Sequence, residues 1–279
     1  MTLNDHTASL QVDFTGRTMV VTGGTGVLGR EIVSCLASCG ANVAILTRDE
    51  SRGKNIIDGI GPTRGRLCAI NADVIDKGSL ERALGRVSAE FGEFDTLING
   101  AGGNSPAATT NPQTSFFQLK EADISNVTGM NMLGTILASQ VFGEPMADRK
   151  KGVILNITSM TAERPLTRVV AYSAAKAAIV NFTQWLAVHM AQEYSPEIRV
   201  NAVAPGFFLT EQNRFLLTDK ATGDLTDRGK KIIAHTPMAR FGRPEDLLGA
   251  VLWLLSPGAN FVTGIVVPVD GGFSAFSGV

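Results

Sequence analysis

An excess of charge of either sign is missing from this sequence. Across 279 residues, 25 Lys and Arg meet 26 Asp and Glu, a formal net charge of -1. Such a balance, with no basic run, gives no electrostatic ground for a nucleic acid or an anionic membrane as partner. Cysteine is scarce too, with Cys35, Cys39 and Cys68 at no metal-ligand spacing, so no metal site is expected. An odd count with no staple framework fits a reducing compartment, which predicts a cytoplasmic protein. Cys35 and Cys39, four apart in a helical stretch, read as small core residues. Met1 to Phe14 has no apolar segment of the kind a signal peptide needs, so no secretory leader is expected. The longest apolar run, around Val251 to Leu255, is far too short to span a bilayer.

What is present is a core. Apolar residues make up 44% and charged residues 18%, a composition that folds rather than stays disordered. No repeat or low-complexity linker interrupts the chain, so one domain over residues 15–279 is predicted, after an N-terminal extension of residues 1–14. Short β-type runs occur at Arg17–Thr22, Asn42–Thr47, Arg66–Asn71, Asp95–Asn99, Gly152–Thr158 and Ile198–Val203. Helical patterns alternate with them: Val27–Cys39, a segment from near Glu50, Ser79–Phe91, Ile124–Phe142 and Tyr172–Glu193. This alternation predicts an α/β fold of Rossmann type, a doubly wound parallel sheet with helices on both faces. Ligands then bind beyond the carboxyl ends of the strands. Two stretches break the pattern. Asn104–Phe117 reads as a loop, and the long polar segment 207–235 reads as a helical substrate lid.

After the first strand comes Thr22-Gly23-Gly24-Thr25-Gly26-Val27-Leu28-Gly29, which contains G-x-G-x-x-G from Gly24 to Gly29. Glycines let backbone approach a pyrophosphate while the following helix points its N-terminus at it. Lying between a strand and a helix near the N-terminus, the match predicts dinucleotide binding rather than a tight turn alone. An acidic ribose ligand is due about 20 residues on. Thr47 and Arg48 stand there, with Asp49 and Glu50 just behind. A guanidinium in place of the acid favours NADP(H) over NAD(H), unless Arg48 is merely a solvated loop charge.

Tyr172-Ser173-Ala174-Ala175-Lys176 opens a helix. Four residues apart, Tyr172 and Lys176 share a face, and an ammonium beside a phenol lowers a pKa near 10 toward usable acid/base chemistry. An exposed helix pair is the plain alternative. Ser159 ends the strand of Asn156-Ile157-Thr158-Ser159, at the edge where substrates bind. Asn99-Gly100-Ala101-Gly102 ends another strand, Asn131 lies in the helix Ile124–Phe142, and Pro205-Gly206 follows a further strand. Each feature alone has a structural explanation; five in one order are hard to produce by chance.

Taken together these motifs resemble the short-chain dehydrogenase/reductase family from Arg17 to the C-terminus. The resemblance implies that Ser159 hydrogen-bonds the substrate oxygen and Tyr172 gives or takes its proton. It implies that Lys176 holds the nicotinamide ribose and that Asn131 holds a water linking Lys176 to solvent. Asp73, with Val74 beside it, matches the family's aspartate near the adenine. Asn99 matches its strand-stabilising asparagine, with Gly100 and Ala101 passing the cofactor. Pro205, Gly206, Phe208 and Thr210 match the segment that meets the cofactor amide or phosphates. Val27 departs from the compact subgroup, whose middle glycine would stand there, and the spacing is that of the extended subgroup.

The stretches Gly102-Gly103-Asn104, Ala204 to Thr210, Thr236-Pro237-Met238 and Pro268 to Ser274 resemble the D-mannonate oxidoreductase (fructuronate reductase) branch. That resemblance implies a sugar-acid substrate, with gluconate, polyol or 3-ketoacyl-type reduction as alternatives. A dinucleotide-sensing protein without catalysis is the alternative of another class, which cofactor turnover with any ketone would exclude. Asn104, Ser159, Arg168, Phe207, Gln212 and Arg214 are the expected substrate contacts, Arg168 foremost for the carboxylate and Arg214 second. Ala174, Ala175, Ala177 and Ala178 allow close helix approach, either within the chain or in the homodimer or homotetramer that the resemblance implies.

Overall fold

The computed structural model describes residues 12–209, 217–219 and 222–278. Seven strands form one parallel sheet in the order β3-β2-β1-β4-β5-β6-β7. They are β1 Thr18–Thr22, β2 Asn42–Thr47, β3 Leu67–Asn71, β4 Thr96–Asn99, β5 Gly152–Ile157, β6 Ile198–Pro205 and β7 Val266–Val269. The helices are α1 Val27–Ser38, α2 Glu50–Ile60, α3 Lys77–Phe91, α4 Glu121–Thr128, α5 Gly134–Asp148, α6 Val170–Glu193, α7 Asp227–Ala234 and α8 Leu248–Leu255.

Side chains alternate across a strand, and here both faces are covered. Met19 and Val21 of β1 point into one core with Ile32, Val33 and Leu36 of α1 and Leu252 of α8. Val20 points into the other, with Leu80 of α3, Phe142 of α5 and Met190 of α6. This is why the strands read as near-continuous apolar runs. Each fully buried Val, Leu or Ile contributes roughly 1.5–3 kcal/mol to holding the layers together. The strand order reverses where β1 meets β2 on one side and β4 on the other, and a ligand crevice opens at such a point.

Several elements depart from the sequence reading. Phe14, assigned to the extension, is only 1% exposed and belongs to the core. The expected helix Ile124–Phe142 is α4 and α5 joined by a wide π turn over Gly129–Leu133, where the Gly134 N–H donates to the Gly129 carbonyl five residues back. Asn131 Nδ2 donates to the Val127 carbonyl at 2.8 Å, a group that a regular α-helix reserves for a backbone N–H. The apolar run ending at Leu255 is α8, whose last carbonyls accept from Arg17 Nη1 (Leu255, 2.8 Å) and Arg199 Nη1 (Leu254, 2.8 Å). Cations at a helix C-terminus also oppose its dipole favourably. Within segment 207–235, α7 starts from Thr226, whose hydroxyl accepts the Gly229 N–H at 3.1 Å. Thr210, Gln212 and Arg214 lie outside the described residues.

Candidate active site

Parallel register brings the carboxyl ends of β1, β4 and β5 into line, pairing Thr22 with Asn99 and Asn99 with Asn156. Thr22 is 1% exposed, and its hydroxyl accepts the Gly100 and Ala101 N–H groups, both at 3.1 Å. It therefore shapes the loop after β4 instead of facing a ligand. Asn99 is likewise internal: its Nδ2 donates to Asn156 Oδ1 (2.9 Å) and Ser139 Oγ (3.0 Å). Asn156 Nδ2 passes the chain on to Thr183 Oγ1 at 2.9 Å. A buried polar seam thus ties α5, β4, β5 and α6 together behind the site. Ser139 and Thr183 were not singled out in the sequence, because one hydroxyl on an apolar helix face carries no distinguishing pattern.

Against this scaffold lies a cleft of ≈ 600 Å³, lined by Gly23, Gly26, Arg48, Asp73, Val74 and Gly100 among others. Gly23 has φ +71°, and a Cβ there would collide with the Gly100 carbonyl. A Cβ on Gly29 would run into the Gly23 carbonyl. Those two glycines are required by close approach, whereas Gly24 faces Ile45 and Val33 of the core. Gly26 caps α1 without a side-chain hydrogen bond, and no acidic residue occupies the first turn. Free N–H groups and the positive helix end therefore face the cleft, the requirements of a phosphate group. Thr25 also lines the cleft, while Val27 and Leu28 enter α1. Val74 meets Gly134, where a Cβ would approach its Cγ2 to 2.7 Å. Arg52, also on the cleft wall, was not anticipated; its spacing of four from Arg48 was the available signal. The shape, glycine contacts and cation pair fit a dinucleotide.

The catalytic candidates converge beside this cleft. Ser159 is 7% exposed, and its hydroxyl both meets the Tyr172 phenol and accepts the Thr161 N–H at 3.2 Å. Lys176 Nζ lies 5.6 Å from the Tyr172 ring centre and donates to the Ile157 carbonyl at 2.8 Å. Gly102 fits between these groups, since a Cβ there would strike Asn131 Oδ1 and stand 3.5 Å from Lys176 Nζ. Burial pushes the Tyr172 phenol above its usual value of 10, with the Ser159 hydrogen bond pulling it back. Burial also drives the Lys176 ammonium down to about 8. The net lowering of the phenol expected from Lys176 is not seen, because desolvation is the largest influence on both residues.

The segment Asn104–Phe117 is more ordered than a plain loop. Its turn Pro106–Ala108 packs the buried Ala108 with Val127, Ala171 and Tyr172, and the Thr110 N–H donates to the Arg168 carbonyl at 3.0 Å. Asn104 spends its Nδ2 on Thr109 Oγ1 at 2.8 Å. Phe208 is buried against Gly242, and Phe207 stacks edge-on to Phe273 with centroids 5.2 Å apart. Gly206 meets Asp270, whose Cβ would be 2.5 Å from a Gly206 Cβ. Arg168 has φ +80°, a conformation that non-glycine residues rarely hold without a reason.

Residues 23–274 match the family model described as enoyl-(acyl carrier protein) reductase. An uncharacterized oxidoreductase, UxuB, of Bacillus subtilis (strain 168) is 50% identical, covering 97% of this chain and 99% of its own. The 5-keto-D-gluconate 5-reductase of Escherichia coli (strain K12) is 30% identical over 92% of this chain and 95% of its own. A crystal structure of a candidate D-mannonate oxidoreductase from Haemophilus influenza, with bound NAD, superposes with TM-score 0.89 at 42% identity. That superposition covers 96% of this chain and 98% of the other.

Proposed function

The chain belongs to the short-chain dehydrogenase/reductase family and is an NAD(P)-dependent oxidoreductase acting on CH–OH groups; from that premise we propose that it interconverts a ketone and a secondary alcohol on a sugar acid of the D-mannonate/D-fructuronate kind. The convergence of Ser159, Tyr172 and Lys176 beside the glycine-lined cleft carries the catalytic assignment. The likeness to the candidate D-mannonate oxidoreductase supports the substrate class.

When bound, the dinucleotide supplies or accepts the hydride. In the reducing direction, Ser159 donates a hydrogen bond to the substrate carbonyl oxygen, and Tyr172 gives that oxygen its proton. The proton's source makes the reaction balance: ketone, hydride and Tyr172 proton give the alcohol and a phenolate, which is reprotonated by way of Lys176. A positively charged Lys176 favours the phenolate that burial alone disfavours. Asn131 keeps the strand-end loop and the helix turn in register, and its carbonyl already accepts from Thr135 Oγ1 at 2.8 Å. Asp73 and Val74 line the adenine side of the cleft, Gly100 and Ala101 pass the cofactor, and Asn99 supports that strand end from behind. Arg48 favours NADP(H), with Arg52 beside it.

Ketone reduction on a gluconate-type substrate is the second reading, favoured by the 5-keto-D-gluconate 5-reductase relative. Self-association is part of the proposal, since Trp185 and Val188 on α6 are each 56% exposed. Among the described residues no helix is long and apolar enough to cross a membrane. The assignment is tested by assaying hexuronates, 5-ketogluconate, neutral ketoses and an acyl thioester with NADH and NADPH, following absorbance at 340 nm. Highest kcat/KM on a uronate supports the reading; preference for the thioester or a hydrophobic ketone overturns its substrate class.

A further inference from the structure

Ser159 caps a short helical turn, Met160–Ala162, and the far end of that turn is held by a residue outside the catalytic set. The Thr161 N–H donates to Ser159 Oγ at 3.2 Å, and the Ala162 N–H donates to the Ser159 carbonyl at 3.0 Å. A hydroxyl has one proton and two lone pairs. With one lone pair committed to Thr161, the attitude of the turn decides where the Ser159 proton points. The Arg164 N–H closes the turn on the Met160 carbonyl at 3.0 Å. The Arg164 side chain then reaches away from it, and its Nε donates to the Ser274 carbonyl at 3.0 Å.

That acceptor is no loose chain end. Ser274 donates to Asp270 Oδ2 from its N–H at 2.8 Å and from its hydroxyl at 2.5 Å. Asp270 Oδ1 takes the Gly272 N–H at 2.9 Å. Asp270 directly follows β7 and packs against Gly206, where a Cβ would come within 2.5 Å of its own. The turn after β7 is therefore fixed to the sheet, where β6 pairs with β7 up to Pro205 and Val269. Among the described residues Arg164 takes part in no ion pair, so its donor and not its charge joins the two segments. Nothing in the sequence pointed to Arg164, because Ser274 lies 110 residues further on.

We infer that Arg164 is a positioning residue for Ser159, tying the turn that Ser159 caps to the turn that Asp270 holds after β7. This role rests on the catalytic reading of Ser159 given above. Arg164 acts through Ser159 and not on the reacting atoms. A donor to the substrate oxygen works only where it is placed, and a shift of about 1 Å can cost up to about 10²-fold in rate. One exposed hydrogen bond biases the position of the turn by only roughly three- to tenfold, which sets the size of the effect.

The test compares wild type with Arg164→Met, Arg164→Gln, Ser159→Ala and the double variant Ser159→Ala/Arg164→Met. Methionine keeps the length of the side chain without a donor. Glutamine places its Nε2 at the reach of the arginine Nε without the charge. The readout is the single-turnover rate of reduced-cofactor oxidation at saturating ketone, on the best substrate of the panel. Arg164→Met should slow that rate roughly three- to tenfold, with KM for the ketone and the cofactor dissociation constant unchanged. Arg164→Gln should recover most of the rate. In the Ser159→Ala background, Arg164→Met should cost nothing further, as residues that act as one unit do. A wild-type rate in Arg164→Met, a loss confined to KM or cofactor binding, failure of glutamine to rescue, or additive losses in the double variant each overturn the role. If Ser159→Ala itself runs at the wild-type rate, the catalytic reading of Ser159 fails and the role of Arg164 falls with it. If Ser159→Ala is slow and Arg164→Met is not, the catalytic reading stands and the Arg164 role alone falls.

Discussion

Asn131 and Gly103 hold each other by two hydrogen bonds: the Gly103 N–H donates to Asn131 Oδ1 at 3.1 Å, and Asn131 Nδ2 donates to the Gly103 carbonyl at 2.8 Å. One side chain thereby locks the loop after β4 to the π turn between α4 and α5. Asn131→Ala removes both bonds and strands a buried carbonyl at Val127. It should cost about 1–3 kcal/mol of stability and at least tenfold in kcat/KM. Urea unfolding and steady-state kinetics check the two parts; unchanged activity with lowered stability would leave Asn131 a purely structural residue.

Arg48 lies on the cleft wall at the end of β2, with Arg52 beside it. Removing a guanidinium that binds a phosphate weakens NADPH and leaves NADH largely alone. Arg48→Ala should raise KM for NADPH on the order of ten- to hundredfold and change KM for NADH much less. A wild type that strongly prefers NADH, or equal losses with the two cofactors, would contradict this preference.

Lys176 is held at a pKa of about 8 against an ordinary 10.5, because burial disfavours its charge. Between those values the unfolded chain binds more protons than the folded one. Stability therefore rises with pH across that window, and the full penalty applies below it. Lys176→Met should be more stable than wild type at pH 7, by up to roughly 3 kcal/mol, while losing activity and cofactor affinity. The difference should shrink as pH rises from 8 toward 10. Denaturant titrations at pH 7 and 9.5 decide, and a variant less stable than wild type at pH 7 would contradict the burial argument.

Much of the fold was legible because both faces of the sheet are covered, so each strand from β1 to β6 announces itself as an apolar run between turns. β7 was not separated as a strand, since Val266–Val269 is four residues long and contains Pro268, which its position at the sheet edge tolerates. The Tyr172, Lys176 and Ser159 set was readable from local spacing and strand ends. Ser139 and Thr183 were not, because their partners lie across the fold. The direction of the Tyr172 shift was also hidden: spacing puts an ammonium nearby, but only the packed structure shows how little water either group keeps.

The account stands most directly on the Tyr172 hydroxyl as proton donor. Tyr172→Phe removes that one oxygen and keeps the ring packed with Ala108 and Ala171. The measurement is kcat on the best substrate of the panel, alongside the dissociation constant for NADPH from fluorescence titration. The account predicts a fall of roughly 10²–10⁴-fold in kcat with cofactor binding within a few-fold of wild type; turnover near the wild-type rate in a folded, cofactor-binding variant would contradict it.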